Sequence, residues 1–374
     1  MSSRETLVSI SMVGESIRIG RLWSHVKGRK ESALFEHDKD WLDHPEKFAL
    51  EPALQLTEGS FHPGGGMSVF GSFRDSAPDR WGRVLMRRGE AARAREQRRA
   101  ARALFEVDYL LGVSDEARQG ALRFSGPADE ATFLATSGGA SIPPLMDLAR
   151  LLSATERFLA EDENAEDLRL LLQPGSSLGG ARPKASVRDR DGSLAIAKFP
   201  RRDDEYNVVV WEAVALALAK RAGIAVPAHR LEKAGEQAVL VVTRFDREGG
   251  DRIPFLSAMS MLGARDNEQH SYLEMAYALA QHGAAPEADM RELWRRLVFT
   301  IMVSNVDDHL RNHGFLYERY RGWRISPVYD INPTPVEVAP RVLTTLIDFY
   351  DGEASLDTAM RVAQEFRLKR EDAR

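Results

Sequence analysis

The chain has no cysteine among its 374 residues. Disulfides, thiolate zinc sites, iron–sulfur clusters and cysteine nucleophiles are therefore excluded together, and thiol redox chemistry with them. No stretch approaches the roughly 18 apolar residues that a membrane span needs. The opening, MSSRETLVSISMVGES, has no apolar core behind a basic start, so a cytoplasmic protein without a membrane partner is expected. Charge of one sign is not in excess either. Against 51 Lys and Arg stand 56 Asp and Glu, a formal net charge of -5, which is not the electrostatic footprint of a dedicated nucleic-acid binder, though local basic patches remain open. No internal repeat is visible, which argues against a solenoid or propeller.

What is present is ordinary globular material, 43% hydrophobic, 29% charged and 8% aromatic, so wholesale disorder is excluded. The length exceeds what one hydrophobic core usually organises and predicts two or three domains. Residues Leu7 to Leu22 mix β-branched side chains with Gly14 and Gly20 and predict a hairpin opening the fold. The glycine-dense GSFHPGGGMSVFGSF reads as a surface turn, because no lysine followed by Ser or Thr stands at phosphate-loop spacing. The arginine-rich run from Asp79 to Phe105 predicts a solvated helix interrupted near Gly89, with contact to nucleic acid or an acidic partner as its secondary reading. SGGASIPP suits a boundary. The expected segments are 1–140, an N-terminal subdomain; 141–245, a nucleotide-binding lobe; and 246–374, a helical lobe with a catalytic loop.

Chemical content begins at Pro174. PGSSLGGARPKASV sets Ser176, Ser177, Gly179 and Gly180 ahead of a β-type run, so backbone N–H groups can approach an anion; an ordinary glycine turn remains an equal reading, since the pattern matches neither common phosphate fingerprint. KASVRDRDGSLAIAKFP predicts two strands joined at Asp191-Gly192, with Leu194, Ile196 and Lys198 on one face. An ammonium in that position needs an anion and a carboxylate to meet it. AIAK echoes the strand lysine of kinases, and Glu212, inside the apolar helix of YNVVVWEAVALALAKRAGIAVP, is a candidate partner; an exposed acid favoured by the helix dipole is the alternative. AVLVVTRFDR predicts a buried strand over Ala238 to Val242. Beyond it IPFLSAMSMLG, SYLEMAYALAQHG and MRELWRRLVFTIMVSN carry helical periodicity.

The third of these helices runs into VDDHLRNHGFLYERYRGWRISPVYDINP. Asp307 and Asn312 stand as D-x-x-x-x-N, the spacing of a kinase catalytic loop, in which the Asp accepts the substrate hydroxyl proton and the Asn holds a magnesium ion. After two short strands, GFLYER and WRISP, Asp330 is placed to bridge magnesium to phosphates. A metal hydrolase competes, with His309 and His313 four apart, but the glutamate of H-E-x-x-H is missing, and His309 reads as ordering the loop. A glycine loop, strand lysine, helix acid, Asp-x-x-x-x-Asn and later Asp follow the order that phosphoryl transfer requires.

These residues resemble a known family. SSLGGARPK, the AIAK strand, WEAVALALAKRAGIAVP, VTRFDR, NVDDHLRNHGF and SPVYDINP are similar to HipA-type serine/threonine kinases, the toxin halves of bacterial toxin–antitoxin pairs. The early SFHPGGGMSVFGSFRDSAPDRWGRVL and the later GALRF also resemble that family's N-terminal region. The resemblance implies an α+β, bilobal protein-kinase-like fold with a β-rich N-terminal subdomain and an all-α C-terminal lobe. It implies ATP and magnesium as cofactors. Lys198 would grip the ATP phosphates and Glu212 would pair with it; the glycine loop and His309 would join the nucleotide site. Thr243 to Phe245 would hold adenine by backbone, Asp307 would be the base, and Asn312 with Asp330 would bind magnesium. Ser177, or its neighbour Ser176, would be autophosphorylated and silence the enzyme. The implied partners are a protein substrate, with an aminoacyl-tRNA synthetase among the family's targets, and a HipB-like helix-turn-helix antitoxin that brings DNA contact indirectly. The alternative is a largely inactive co-repressor held on operator DNA by that antitoxin. Two positions depart from the family: Thr243 stands where an acid is found, and Trp211 where a polar residue commonly precedes the helix glutamate. The last lobe is expected to be shorter than usual.

Overall fold

The computed structural model describes residues 2–135, 142–172 and 180–373. Ser176, Ser177 and Gly179 lie outside the described residues. The chain forms two compact units, Met1–Val209 with His229–Pro254, and Val210–Ala228 with Phe255–Arg374. Residues 210–228 therefore belong with the C-terminal part of the chain, although in sequence they fall between strands of the first unit.

The first unit opens on an antiparallel sheet in the order β4-β3-β2-β1-β5-β6, built from β1 (Ser2–Met12), β2 (Glu15–Lys27), β3 (Lys30–His37), β4 (Ser60–Phe61), β5 (Leu122–Gly126) and β6 (Asp129–Phe133). The β1–β2 pair is the expected hairpin. Its two-residue turn, Val13-Gly14, takes positive φ at both positions, 49° and 77°, the twist that suits adjoining strands. β1 pairs on both sides, with β2 and β5. It accordingly buries an unbroken run from Thr6 to Ile10, whereas β3 alternates, burying Ala33 and Phe35. Short helices α1 (Lys39–Asp43) and α2 (Gly71–Asp75) follow β3 and β4, and α4 (Glu106–Gly112) precedes β5.

Between α2 and α4 lies the arginine-rich α3 (Arg80–Glu96). The expected interruption at Gly89 is absent, and the helix runs through it. A Cβ at Gly89 would come 2.7 Å from Leu172 Cδ1 on α6 (Ala165–Leu172), so the glycine serves close approach of two helices rather than a break. Part of the run's charge is met internally: within the helix Arg83 pairs with Glu106, Arg88 with Glu163 and Arg93 with Glu90, and beyond it Arg99 pairs with Glu90 and Arg102 with Asp108.

A second antiparallel sheet, order β7-β8-β10-β9, comprises β7 (Lys184–Arg188), β8 (Leu194–Lys198), β9 (His229–Ala234) and β10 (Gln237–Thr243). Ala185, Val187, Ala195, Ala197, Val239 and Val241 cluster with buried residues of α5 (Leu148–Leu159), α6 and α3. One face of this sheet is therefore a packed floor, and Lys198 is on the other.

Just beyond β10, alternate residues Arg244 and Asp246 are buried. Arg244 bonds Asp246 and the carbonyls of Ala117 and Arg118, and Asp246 accepts from Gly120 N at 2.8 Å. Burial opposes the charge on Asp246, but Arg244 and Arg247 outweigh it and hold the carboxyl far below the usual range. This rivet fixes the end of β10 to the segment entering β5. The short pair β11 (Arg247–Glu248) and β12 (Asp251–Arg252) completes the unit.

The second unit contains most of α7 (Val208–Arg221), with α8 (Ala258–Met261), α9 (Tyr272–His282), α10 (Pro286–Val303) and α11 (Leu356–Val362). It is mainly helical, but not all-α as expected. The strands read at GFLYER and WRISP, β14 (Gly314–Glu318) and β15 (Gly322–Ile325), form a sheet with β13 (Phe255–Ser257) in the order β13-β14-β15. The helix expected over IPFLSAMSMLG is correspondingly shortened to α8. Pairing of Phe255 with Leu316 and Ser257 with Gly314 supplies distant ladder bonds that a local pattern cannot reveal.

Candidate active site

In the second unit the loop after α10 carries the expected catalytic residues. Helix α10 ends at Ser304 in the left-handed region, φ 54°, and Asn305 N returns to Thr300 O at 3.1 Å. Of the adjacent carboxylates, Asp307 is exposed and Asp308 buried. Asp308 accepts from Tyr272 OH, from His313 Nε2 at 3.1 Å and, at the longer distance of 3.5 Å, from Asn305 Nδ2. Thr345 Oγ1 donates to its backbone carbonyl at 2.6 Å. Burial opposes ionisation of Asp308, yet His313 and Tyr272 keep its carboxyl below the ordinary range. The Tyr272 hydroxyl is pushed well above its ordinary value by burial and by the charge of Asp308. Asp308 is thus held by the scaffold, whereas Asp307 is exposed.

Asn312 closes the loop. Its Nδ2 donates to Asp307 O at 3.1 Å, and since a carbonyl can only accept, this bond fixes the amide orientation. Oδ1 is then left buried with no hydrogen-bond partner among the described residues. His309 N bonds Asp307 O at 3.0 Å and His309 O accepts from Asn312 N at 2.8 Å, so this residue shapes the turn. His313 meets Asp308 through Nε2. No group of three or more His, Asp or Glu placed to hold a metal occurs among the described residues.

Asp330 is half-buried and held at φ 59°, a left-handed conformation that a non-glycine residue adopts at some cost. Asn332 Nδ2 donates to Asp330 Oδ1 at 3.2 Å, and Asn332 N donates to Asn305 Oδ1 at 3.0 Å. The loop of Asp307 and the loop of Asp330 are therefore brought together through Asn305 and Asn332. Glu212 is buried on α7, not the exposed acid of the alternative reading.

In the first unit, β8 buries Ala195 and Ala197 against the core and leaves Leu194, Ile196 and Lys198 half-buried on the opposite face. Lys198 stands across from Leu240 on β10 and Lys184 on β7. Thr243 pairs with Ala195, and Thr243 and Phe245 are half-buried. Gly180 takes φ 94°, a conformation open to glycine that suits either a turn or a close backbone approach.

Sequence reasoning missed Lys184, which is buried and meets Asp79 Oδ2 at 3.2 Å. A signal existed, because the hairpin centred on Asp191 sets residue 184 opposite 198. It also missed Asn305 and Asn332, which no spacing rule marks, and it read His313 only through its spacing from His309, not as the partner of Asp308.

A magnesium ion held with nucleotide phosphates suits this donor set. Asn312 offers a buried amide oxygen with no hydrogen-bond partner among the described residues and Asp330 a carboxylate oxygen; hard oxygen donors of this kind, few in number, are what magnesium takes when phosphates and water complete its shell.

A family model described as HipA-like C-terminal domain matches residues 176–374, just over half of the chain. The chain belongs to the HipA-like C-terminal domain family. This HipA-type chain is also similar to a HipA from Shewanella oneidensis MR-1, solved with HipB and operator DNA as a toxin–antitoxin complex. The identity is 16%, the TM-score 0.64, and the match covers 98% of this chain and 86% of that one. The likeness establishes the HipA fold, α+β and kinase-like, over nearly the full length. A curated Haemophilus influenzae (strain ATCC 51907 / DSM 11121 / KW20 / Rd) protein named "Putative kinase" is 29% identical in an alignment of 192 residues that covers 44% of this chain; the match spans about half, 55%, of that relative. The Helicobacter pylori proinflammatory kinase CtkA matches over 40% of this chain and 54% of its own, at 21% identity and TM-score 0.34, too low to bear on the fold. No helix among the described residues is long and apolar enough to cross a membrane.

Proposed function

We propose that this chain is an ATP- and magnesium-dependent serine/threonine protein kinase, the toxin half of a toxin–antitoxin pair. The observation that carries the reading is the pairing of an exposed Asp307 with a buried Asn312 whose Oδ1 has no partner among the described residues. The two are joined by the Asn312 Nδ2 bond to Asp307 O. In this reading the exposed carboxylate serves the substrate hydroxyl and the buried amide oxygen a cation, as phosphoryl transfer requires. Asp307 receives the proton of the substrate hydroxyl and aligns its oxygen. Lys198 neutralises negative charge on the phosphates, while Thr243 to Phe245 present backbone groups to adenine. Magnesium, with Asn312 and Asp330 as its protein donors, supplies charge neutralisation on the transferred phosphoryl group. The protein's own work is mostly placement and preorganised charge.

The partners proposed are a HipB-like helix-turn-helix antitoxin, which would bring operator DNA indirectly, and a translation-related protein substrate such as an aminoacyl-tRNA synthetase. The neighbour solved with HipB and DNA supports the first. The alternative, a largely inactive co-repressor, rests on the arginine-rich helix, part of whose charge is paired internally.

The test is incubation of purified protein with ATP and magnesium, followed by intact mass and peptide mapping. One added phosphate at Ser177 or Ser176, absent in Asp307→Asn, is expected. Thermal stabilisation by nucleotide without any phosphate transfer to the chain or to candidate substrates would refute the kinase reading and favour a binding role.

A further inference from the structure

We propose that Asn305 is a positioning residue: its single amide ties the loop of Asp307 to the loop of Asp330 and so sets the spacing between the base and the carboxylate donor to the metal. The inference rests on the kinase reading above and assigns a role to a residue that touches no substrate.

The geometry is a bracket. Asn305 is 2% exposed, so its amide must find partners within the fold. Oδ1 accepts from Asn332 N at 3.0 Å and Nδ2 points to Asp308 Oδ1 at 3.5 Å. The orientation is fixed by its neighbours, since flipping the amide would set donor against donor at Asn332 and acceptor against acceptor at Asp308. On one side Asp308 adjoins Asp307. On the other, Asn332 Nδ2 reaches Asp330 Oδ1 at 3.2 Å and Asp330 O at 3.4 Å.

The bracket answers a local need. Asp330 sits in a left-handed backbone conformation, which persists only where surrounding structure holds it. Asn332 supplies that hold through two bonds from one amide group, and Asn305 holds Asn332. Thr334 N to Ser304 O at 3.0 Å and Tyr329 OH to Arg311 O at 2.7 Å add further ties between these segments but engage neither Asp308 nor Asp330 itself. The 3.0 Å bond to Asn332 is the stronger leg, so loss of Asn305 acts first on Asp330. Residues that orient a metal's ligands in this way change metal affinity and activity together.

The test uses the full chain with Mn2+ as probe, titrated by electron paramagnetic resonance in the presence of a non-hydrolysable ATP analogue. Turnover is measured in parallel. Asn305→Ala is expected to weaken Mn2+ on the order of tenfold and lower kcat by at least as much. KM for ATP should move by less than about threefold, and part of the kcat loss should return at high magnesium. Asn332→Ala, which keeps the backbone N–H but removes the bonds to Asp330, should show the same pattern. It also provides the readout if Asn305→Ala does not fold. Because both act along one chain of bonds, the double variant should be no worse than the more affected single one. Variants that melt earlier but hold Mn2+ and kcat at wild-type values would overturn the proposal, as would independent, multiplicative losses in the double variant. A wild-type protein with no Mn2+ response to nucleotide would sink the kinase reading and the proposal with it, whereas a normal wild-type response with unaffected variants sinks the proposal alone.

Discussion

Adjacent carboxylates with opposite surroundings should respond to substitution in opposite ways. Asp307 is exposed and Asp308 buried. Replacing Asp307 by Asn removes a general base and should lower phosphoryl transfer by about 10²- to 10⁴-fold. As a surface change it should alter stability by no more than about 0.5 kcal/mol. Asp308→Ala does the reverse. It leaves Tyr272 OH and His313 Nε2, both interior groups bonded to this carboxylate, without their acceptor. Each orphaned group costs roughly 1 to 3 kcal/mol, so a loss of about 2 to 6 kcal/mol is expected, lowering Tm by roughly 3 °C or more. Calorimetry with a radiolabelled phosphate-transfer assay on both variants separates the two roles. An Asp307→Asn protein with more than about a tenth of wild-type turnover would refute the assignment of the base. So would an Asp308→Ala protein melting with the wild type, since the scaffolding role given to Asp308 would then be empty.

Three further outcomes are expected. Glu51 is buried, with Ser72 N donating to it at 2.5 Å, and burial pushes its carboxyl up to about 7. The folded state therefore holds a proton that the unfolded chain releases near pH 4.5, so the contribution is full below about 4.5 and is lost as pH rises to about 7, by roughly 3 kcal/mol. Glu51→Gln should flatten the fall of Tm between pH 5 and 8 and be the more stable form at pH 8; parallel Tm profiles would count against it. Asp246→Ala strips the buried Arg244 of its ion pair and should cost about 3 to 5 kcal/mol; a urea midpoint within error of wild type would contradict the rivet. At Gly20, a Cβ would stand 2.2 Å from Glu36 O and 2.6 Å from the Phe35 ring. Gly20→Ala should cost at least about 2 kcal/mol because a paired strand cannot retreat, and an unchanged denaturation midpoint would show that the sheet yields.

Local chemistry made much of this protein legible in one dimension. The opening hairpin, the strand pair around Asp191-Gly192, the helices over Tyr272–His282 and Pro286–Val303 and the D-x-x-x-x-N loop follow from periodicity, turn residues and spacing, each settled within a few residues of chain. Gly89 shows the limit. Its helix-breaking propensity is outweighed by a neighbour, Leu172, that is more than eighty positions away. Strand β13 shows the same, since its ladder partners lie near residue 315. At the candidate site, sequence pattern singled out Asp307, Asn312 and Asp330, because their chemistry demands those residue types at those intervals. It could not say which of two neighbouring aspartates faces solvent, that Asn312 turns an unpartnered oxygen inward, or that Asn305 bridges two loops. Those features depend on burial and on hydrogen bonds between residues distant in sequence, and such partners exist only once the chain has folded.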